Sequence, residues 1–263
     1  MVKVLRSIWN SVYKLLSIIL FLALWEIIAR LHLVNTVFFP PFSKVIVTLW
    51  QLTVSGELVE NLLISLRRSL TGFILGLAFS IPLGLLIGWY RGFERFIDPL
   101  LQTFRNLSVL ALLPIFILFF GIGETSRVAV IFWAVLWAVL LNTIAGVKSA
   151  DLNLIKAARS MGISKLSLFT KVILPGALPS IFTGIRLSAT TSVLVLIAAE
   201  MLGANTGLGY ALYFFQANVK PPETFAIVIV LALLGLAINY SLAAVEKRTF
   251  KYREELPNIG KSL

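Results

Sequence analysis

The chain has 263 residues, of which 59% are apolar and only 13% are charged, and its mean hydropathy is +0.94. An average soluble domain is about 45–50% apolar and roughly 25% charged, so the surplus apolar surface of this chain cannot be buried in a water-soluble core. A soluble enzyme and a disordered chain are therefore excluded, and most of the apolar surface must face lipid.

The sequence lacks the residues that most enzymes and metal sites use. It contains no cysteine and a single histidine, His32, which excludes disulfides, cysteine-based zinc sites and thiol nucleophiles. We expect His32 to be an interfacial side chain, and we expect no metal site. There is no G-x-x-x-x-G-K-[ST] phosphate loop, so the chain should not bind ATP by that mechanism. No catalytic residues and no enzyme activity are expected.

Six apolar stretches are candidates for membrane-spanning helices, which need about 20 predominantly apolar residues. They are Tyr13–Leu31, Leu66–Trp89, Leu107–Phe120, Val128–Val147, Ala177–Leu202 and Thr224–Val245. The third stretch is short for a full span. Between the first two, a helix that lies at the membrane interface is expected within Pro41 to Asn61, and the run from Lys220 to Glu223 should begin the last span.

The cations predict the orientation of these spans. Of the 23 Lys and Arg residues, 16 lie at the N-terminus, in the second and fourth connections and in the C-terminal tail, whereas six lie on the opposite side. By the positive-inside rule, both termini are expected to be cytoplasmic. The net charge of +11 therefore needs no nucleic-acid partner.

The second predicted span carries a small residue at every fourth position. These residues are Gly72, Gly76, Ser80, Gly84 and Gly88. Small residues at this spacing form a groove that a second helix can approach closely. Simple helix packing is favoured, and a contact that moves is the alternative.

The fourth connection predicts two short helices at the cytoplasmic face. Asp151 can cap the first helix, Gly162 suits its end, and Ser164 can start the second. Leu174 and Pro175 close the unit before the next span. The first helix could dock a partner protein, or it could lie on anionic lipid, which its cations also allow.

This connection resembles the EAA loop of ABC importer permeases. The run Lys156-Ala157-Ala158-Arg159-Ser160-Met161-Gly162 is followed after nine residues by Val172-Ile173-Leu174-Pro175. The family pattern is Glu-Ala-Ala, three residues, Gly, nine residues, Ile-x-Leu-Pro, so Lys156 and Val172 are departures. The resemblance implies that an ATPase couples to the chain through the following residues: Ala157, Ala158, Gly162, Ser164, Leu174 and Pro175.

Other motifs resemble the nitrate, sulfonate, taurine and bicarbonate branch of these permeases. They include Asp98–Leu101, Leu110–Pro114, Phe119–Glu124, Ala199–Ala204 and Gly207–Tyr210. The branch usually has prolines after the arginine that corresponds to Arg105, but Asn106–Val109 stands here. The backbone near the third span is therefore expected to differ from that of the branch.

The resemblance implies an all-α integral membrane protein with the type I ABC importer fold and six transmembrane helices. It implies one permease domain over residues 1–263, with a cytoplasmic EAA loop at 151–175 and a cytoplasmic tail at 246–263. The expected assembly is a homodimer in the cytoplasmic membrane of a prokaryote, with two ATPase subunits and an external solute-binding protein. ATP and Mg²⁺ would be bound by the ATPases, and this chain would hold no cofactor.

A small anion resembling a sulfonate, taurine or nitrate is the favoured substrate by this resemblance. A vitamin precursor, such as a pyrimidine or riboflavin, is the alternative within the same type of importer. A transporter driven by an ion gradient is a less favoured alternative of another class.

Arg186 and Glu200 are the ionisable residues most clearly inside a predicted span, which makes them candidates for the translocation path. They are about 21 Å apart along one helix, so they cannot pair directly with each other. Thr190 lies between them, and Asn142 is a weaker polar candidate. Arg186 could attract a passing anion, or it could snorkel or pair with a carboxylate. Glu200 could equally position the external loop.

Overall fold

The computed structural model of the chain describes residues 2–31, 33–35 and 37–249, and every regular element within them is helical. His32 and most of the predicted tail 246–263 lie outside the described residues. In chain order the helices are α1 (Val2–Arg30), α2 (Phe42–Val54), α3 (Glu57–Trp89), α4 (Arg91–Phe104), α5 (Leu113–Phe120), α6 (Glu124–Lys148), α7 (Leu152–Ser160), α8 (Lys165–Leu168), α9 (Leu174–Met201), α10 (Leu208–Ala217) and α11 (Pro221–Thr249). A π-helical turn, Phe169–Ile173, joins α8 to α9. The all-α fold class is confirmed.

Within the described part of the chain, four helical segments are long and apolar enough to cross a membrane. They are Glu57–Trp89, Glu124–Lys148, Lys165–Met201 and Pro221–Thr249. At about 1.5 Å per residue, even the shortest exceeds the roughly 30 Å of a hydrocarbon core. These segments contain nearly all of the second, fourth, fifth and sixth predicted spans. The first predicted span falls largely within α1, which has 29 residues.

The third predicted span differs from the expectation. Residues 109–112 form turns, and α5 begins only at Leu113 and has eight residues. Eight residues rise only about 12 Å, which is too short to span a bilayer alone. Pro114 stands in the first turn of α5, a position where proline favours the start of a helix, and this explains where α5 begins.

The described residues form two compact units, one drawn from the ranges 1–64 and 204–232 and the other from the ranges 65–203 and 233–249. In the first unit, the Trp25 indole donates to the Pro40 carbonyl at 3.0 Å. The same indole packs against the rings of Phe39, Phe42 and Phe225 at centroid distances of 5.4–5.5 Å. This aromatic cluster joins α1, the turn before α2 and the beginning of α11.

A carboxylate holds the start of α2 in the first unit. Glu26 accepts hydrogen bonds from the Ser43 backbone N–H at 3.0 Å and the Ser43 hydroxyl at 2.8 Å, and it pairs with Arg30 at 2.6 Å. A negative charge is favourable beside the unsatisfied N–H groups of a helix start. Farther along, the Asn61 side chain accepts from the Gly207 N–H at 2.7 Å. The helix that the sequence predicts after Pro41 is present as α2, and its placement at the membrane interface stays a prediction.

Helix α6 is the centre of the second unit, and α3 packs along it through glycines. A methyl group built on Gly72, Gly76, Gly84 or Gly88 would lie 2.5–2.8 Å from the side chain of Ile131, Val135, Thr143 or Val147, respectively. Each glycine faces the residue 59 positions later, so α3 and α6 run parallel and in register. The four glycines therefore form the close-approach surface of α3, and the helix that occupies it is α6.

Helix α9 packs on another side of α6 and runs in the opposite direction. Gly146 of α6 meets Ala177 and Ser180, whereas Gly184 of α9 meets Asn142. At each of these glycines, an added methyl group would lie 2.8 Å from a side-chain atom of the other helix. The two contacts keep the helix axes close over more than a turn.

Candidate functional site

The 151–175 segment contains the two short helices that the sequence predicts. The Asp151 carboxylate caps α7 by accepting from the Asn153 N–H at 2.7 Å. Gly162 follows α7 with a φ of +72°, a conformation that side-chain-bearing residues rarely adopt. The Ser164 hydroxyl caps α8 by accepting from the Ser167 N–H at 3.2 Å.

A hydrophobic core fixes this segment to the long helices. It consists of Val147, Leu168, Ile173, Ala177 and Ile181. Ala158 packs against this core, and Leu174 is half-buried. The remaining residues of the predicted coupling set are exposed, namely Ala157, Gly162, Ser164 and Pro175. The two adjacent alanines therefore differ, since Ala158 faces the protein and Ala157 faces outward.

Large apolar side chains project from the same segment. Leu154 is 59% exposed, Met161 is 81% exposed and Leu166 is 73% exposed. The sequence run that resembles the EAA loop contains Met161 but does not reveal this outward surface, which we call the apolar tip (Leu154, Met161 and Leu166). Exposed apolar patches on a folded protein indicate contact with another protein or with lipid.

A buried charge cluster joins α3, α6 and α9 at a second place in the same unit. The Arg68 guanidinium pairs with Glu200 at 2.7 Å and donates from Nε to Glu124 at 2.6 Å. The Glu200 carboxylate also accepts from the Ser65 hydroxyl at 2.8 Å. The side chain of Glu200 is 0% exposed and that of Arg68 is 4% exposed, whereas Glu124 is 63% exposed. Of these three charged side chains, only Glu124 is exposed on the surface of the chain.

A second arginine completes the charge cluster. Arg127 pairs with Glu124 at 3.4 Å and donates to the backbone carbonyl of Gly203, which lies just past the end of α9. With two arginines and two glutamates, the charge cluster is formally neutral. Charges removed from water are tolerated in this form, because each group has a partner of opposite charge.

The sequence leaves two roles open for Glu200, a place in the path and positioning of the external loop. Both carboxylate oxygens accept hydrogen bonds, and the side chain is fully buried. The printed contacts of Glu200 join the end of α9 to Ser65 and Arg68 of α3, and its charge is not presented on an open surface. Arg68 was missed as its partner. The available signal was that a carboxylate inside a span needs a cation, and Arg68 is one of few near that end of the membrane.

Arg186 also pairs with a carboxylate. It donates to the side-chain amide oxygen (Oδ1) of Asn239 at 3.1 Å and pairs with Glu246 at 3.3 Å. Both partners lie on α11. The side chain of Arg186 is 42% exposed, so its charge is only partly screened from an approaching anion by this pairing.

The other two candidates for the path have different surroundings. Thr190 is exposed, on the face of α9 that also exposes Leu187 and Leu194, which are 55% and 64% exposed. Asn142 packs against Gly184 and donates to the Ala138 carbonyl of its own helix at 2.7 Å. The structure therefore does not bring Arg186, Thr190, Glu200 and Asn142 together at one point.

Comparison with known proteins gives several full-length relatives. The chain is 34% identical over 232 residues to the aliphatic sulfonates transport permease protein SsuC of Bacillus subtilis, which covers 88% of this chain and 84% of SsuC. It is 32% identical to the taurine transport system permease protein TauC of Escherichia coli, over 89% of this chain and 87% of TauC. It is also 32% identical to the formylaminopyrimidine transport permease protein ThiX of Halalkalibacterium halodurans, over 92% of this chain and 95% of ThiX.

The fold matches that of solved transporters. A structure of the MetNI methionine ABC transporter in an inward-facing conformation superposes with a TM-score of 0.65 at 19% identity, over 73% of this chain and 95% of that chain. The sequence profile of the family described as binding-protein-dependent transport system inner membrane component matches residues 80–251. The chain belongs to this family and, as a multi-pass membrane protein with the type I importer fold, it is a permease subunit of a prokaryotic ABC importer.

Proposed function

We propose that this permease subunit carries a small sulfonate-like or taurine-like anion. The observation that carries the proposal is the pair of relatives named for aliphatic sulfonates and taurine, which align over 88–89% of the chain. The second candidate is a formylaminopyrimidine-like vitamin precursor, because the relative ThiX aligns over 92% of the chain at similar identity. The exposed fraction of Arg186 supports an anion, since an arginine near a path attracts negative charge.

We infer that separate ATPase subunits dock on the 151–175 segment, and that they bind the ATP and Mg²⁺. The apolar tip supports this inference, because three large apolar side chains stand exposed on a segment whose opposite side is fixed to the long helices. Ala157 and Gly162 are exposed beside it and allow close approach. The capped ends of α7 and α8 keep this surface in one conformation.

We propose that the working unit is a homodimer and that the α9 face around Thr190 lines the path. In the single chain this face exposes Leu187 and Leu194, which a second copy can cover. An external solute-binding protein would deliver the substrate, with both termini in the cytoplasm of a cell whose inner membrane holds the permease. All of residues 1–263 would serve as one permease domain in this assembly.

The experiment that tests this function is purification of the tagged chain from its native membrane under gentle extraction. We expect an ATPase subunit and a solute-binding protein to co-purify, and the ligand released from the binding protein to be a sulfonate or taurine. If the released ligand is a pyrimidine, the substrate assignment changes to the vitamin precursor, and the assignment as an ABC importer stands. An intact chain that reproducibly lacks an ATPase, under conditions that preserve a known ABC complex, would favour a transporter driven by an ion gradient.

The docking surface is tested by one substitution in the apolar tip. Met161→Asp adds a charge at a side chain that is 81% exposed, so the fold of the chain is preserved. We expect it to reduce the amount of ATPase retained on the purified chain by about tenfold or more, because an unpaired charge is buried at the contact. Lys171→Gln is the matched control, since Lys171 is exposed in the same segment but lies outside the apolar tip. Equal retention by both variants would contradict the docking surface.

A further inference from the structure

A cavity of about 1170 Å³ lies between the end of α3 and the helices α7 and α8. One wall is apolar and is formed by α3 residues such as Leu85 and Leu86 together with Phe169 of the π-helical turn. The other part of the lining carries the cations Arg91, Arg159 and Lys165. No carboxylate lines this cavity. A lining that combines apolar side chains with three cations and no carboxylate matches a molecule with an apolar chain and a negatively charged head.

The position of the cavity along α3 matches the edge of a membrane. The apolar helix α3 ends at Trp89, and Tyr90 and Arg91 follow directly. Trp and Tyr side chains are enriched where hydrocarbon meets headgroups, and cations lie just beyond them. Leu85 and Leu86 are one turn earlier and lie deeper, at the depth of acyl chains. Arg91, one of the cations of the cavity, is thus expected at the depth of lipid phosphates.

The three cations of the cavity have no carboxylate partner among the residues that the structure describes. A neighbouring cavity of about 860 Å³ provides the contrast, because its lining includes Glu94, and Glu94 pairs with Lys148. The positive charge of the first cavity is therefore available to a ligand, whereas that of the second is partly neutralised within the chain.

We propose that the larger cavity binds an anionic phospholipid, with its phosphate at Arg91, Arg159 and Lys165 and an acyl chain along Leu85 and Leu86. Basic pockets between membrane helices on the cytoplasmic side bind anionic headgroups in this manner. The proposal rests on the cytoplasmic placement of the 151–175 segment stated above. A lipid bound here connects the end of α3 to α7 and α8, and so supports the segment that carries the apolar tip.

The test measures which lipids stay bound to the purified transporter. The full complex is reconstituted in nanodiscs that contain equal amounts of phosphatidylglycerol and phosphatidylcholine with the same acyl chains, then extracted in mild detergent and separated by gel filtration. Mass spectrometry quantifies the two retained lipids. The wild type is expected to retain phosphatidylglycerol preferentially. Arg91→Gln with Lys165→Gln is expected to lower the retained ratio roughly tenfold or more, because each cation near the surface contributes to the attraction of anionic lipid.

Two controls separate the cavity from general attraction to charge. Arg95→Gln with Lys171→Gln removes two exposed cations that do not line this cavity, and it should keep the wild-type ratio. Leu86→Trp fills the apolar part without a change of charge, and it should lower retention of phosphatidylglycerol. All variants must elute as the intact complex. The lipid measurement does not require transport, so it can be interpreted even if the proposed substrate proves wrong.

Three results would overturn the proposal. The first is an unchanged lipid ratio in both cavity variants. The second is an equal loss in the Arg95 and Lys171 control, which would indicate attraction by the whole charged face. The third is complete displacement of phosphatidylglycerol by inorganic phosphate at matched ionic strength, which would assign the cations to a free phosphate instead of a lipid.

Discussion

The buried charge cluster gives the sharpest prediction, the effect of Glu200→Gln. This change keeps the shape of the side chain but removes the charge that faces Arg68, whose side chain is only 4% exposed. Removal of one partner from a buried pair costs about 3–5 kcal/mol. Glu124 still compensates Arg68 at 2.6 Å, so we expect a smaller loss of about 2–3 kcal/mol in the free energy of unfolding.

The assay is thermal unfolding of the purified chain in detergent, followed by intrinsic tryptophan fluorescence. For a chain of this size, a loss of 1 kcal/mol lowers the Tm by roughly 2–4 °C, so the expected decrease for Glu200→Gln is between about 4 and 12 °C. Glu94→Gln is the matched control, because it removes the partner of Lys148 in a pair whose side chains are 19% and 50% exposed. Pairs of that exposure contribute only about 0–1 kcal/mol.

A double substitution separates the charge of the cluster from its packing. Arg68→Met with Glu200→Met removes both buried charges and leaves Glu124 paired with Arg127 at 3.4 Å. We expect this double variant to be more stable than Arg68→Met alone, which keeps the buried Glu200 charge but removes the guanidinium that pairs with it at 2.7 Å. An equal Tm for Glu200→Gln and Glu94→Gln would refute the stabilising role of the buried pair. A double variant that is less stable than Arg68→Met alone would also refute it.

Three further predictions concern other contacts. Gly76→Ala places a methyl group 2.5 Å from Val135, so it should lower the free energy of unfolding by about 1–3 kcal/mol. Gly92→Ala is the control and should not destabilise the fold, because a methyl group there meets nothing within 4 Å. Arg186→Glu should reduce uptake of the anion into proteoliposomes, and Glu246→Arg in the same chain should not restore it, because the swap rebuilds the ion pair but leaves a negative charge at position 186. Full restoration would limit Arg186 to a structural role. Asp151→Ala removes the α7 cap at a local cost of about 1 kcal/mol, so it should weaken retention of the ATPase. Asp151→Asn should retain the ATPase as the wild type does, because its amide oxygen still accepts from the helix N–H.

The periodic features of the fold could be predicted from the sequence because they depend on nearby residues. Glycines at every fourth position predict a groove on one helix face, and the structure places such a surface on α3. Asp151, Gly162 and Ser164 predict the ends of two short helices, since caps and positive φ are local requirements. The start of α11 at Pro221 likewise follows from a local proline signal.

The features that depend on distant residues could not be predicted in the same way. Arg68 and Glu200 are separated by 132 residues, and the sequence indicates only that a carboxylate inside a span needs a cation near the same end of the membrane, without fixing which cation it is. The outward direction of Leu154 and Met161 depends on which face of α7 packs against the long helices. The short length of α5 was also missed, because the apolar run that precedes it continues through residues that form turns.

The register between α3 and α6 has a consequence for how this protein can move. Its glycines repeat every four residues, which corresponds to about 6 Å along the axis, and each one admits a branched side chain of α6. An axial slide by less than one repeat would drive Ile131 and Val135 into side chains of α3, and a slide by a whole repeat would break the contact of Arg68 with Glu124. The two helices are therefore expected to move together as one rigid unit. Relative movement during transport would therefore have to occur at contacts outside this pair of helices.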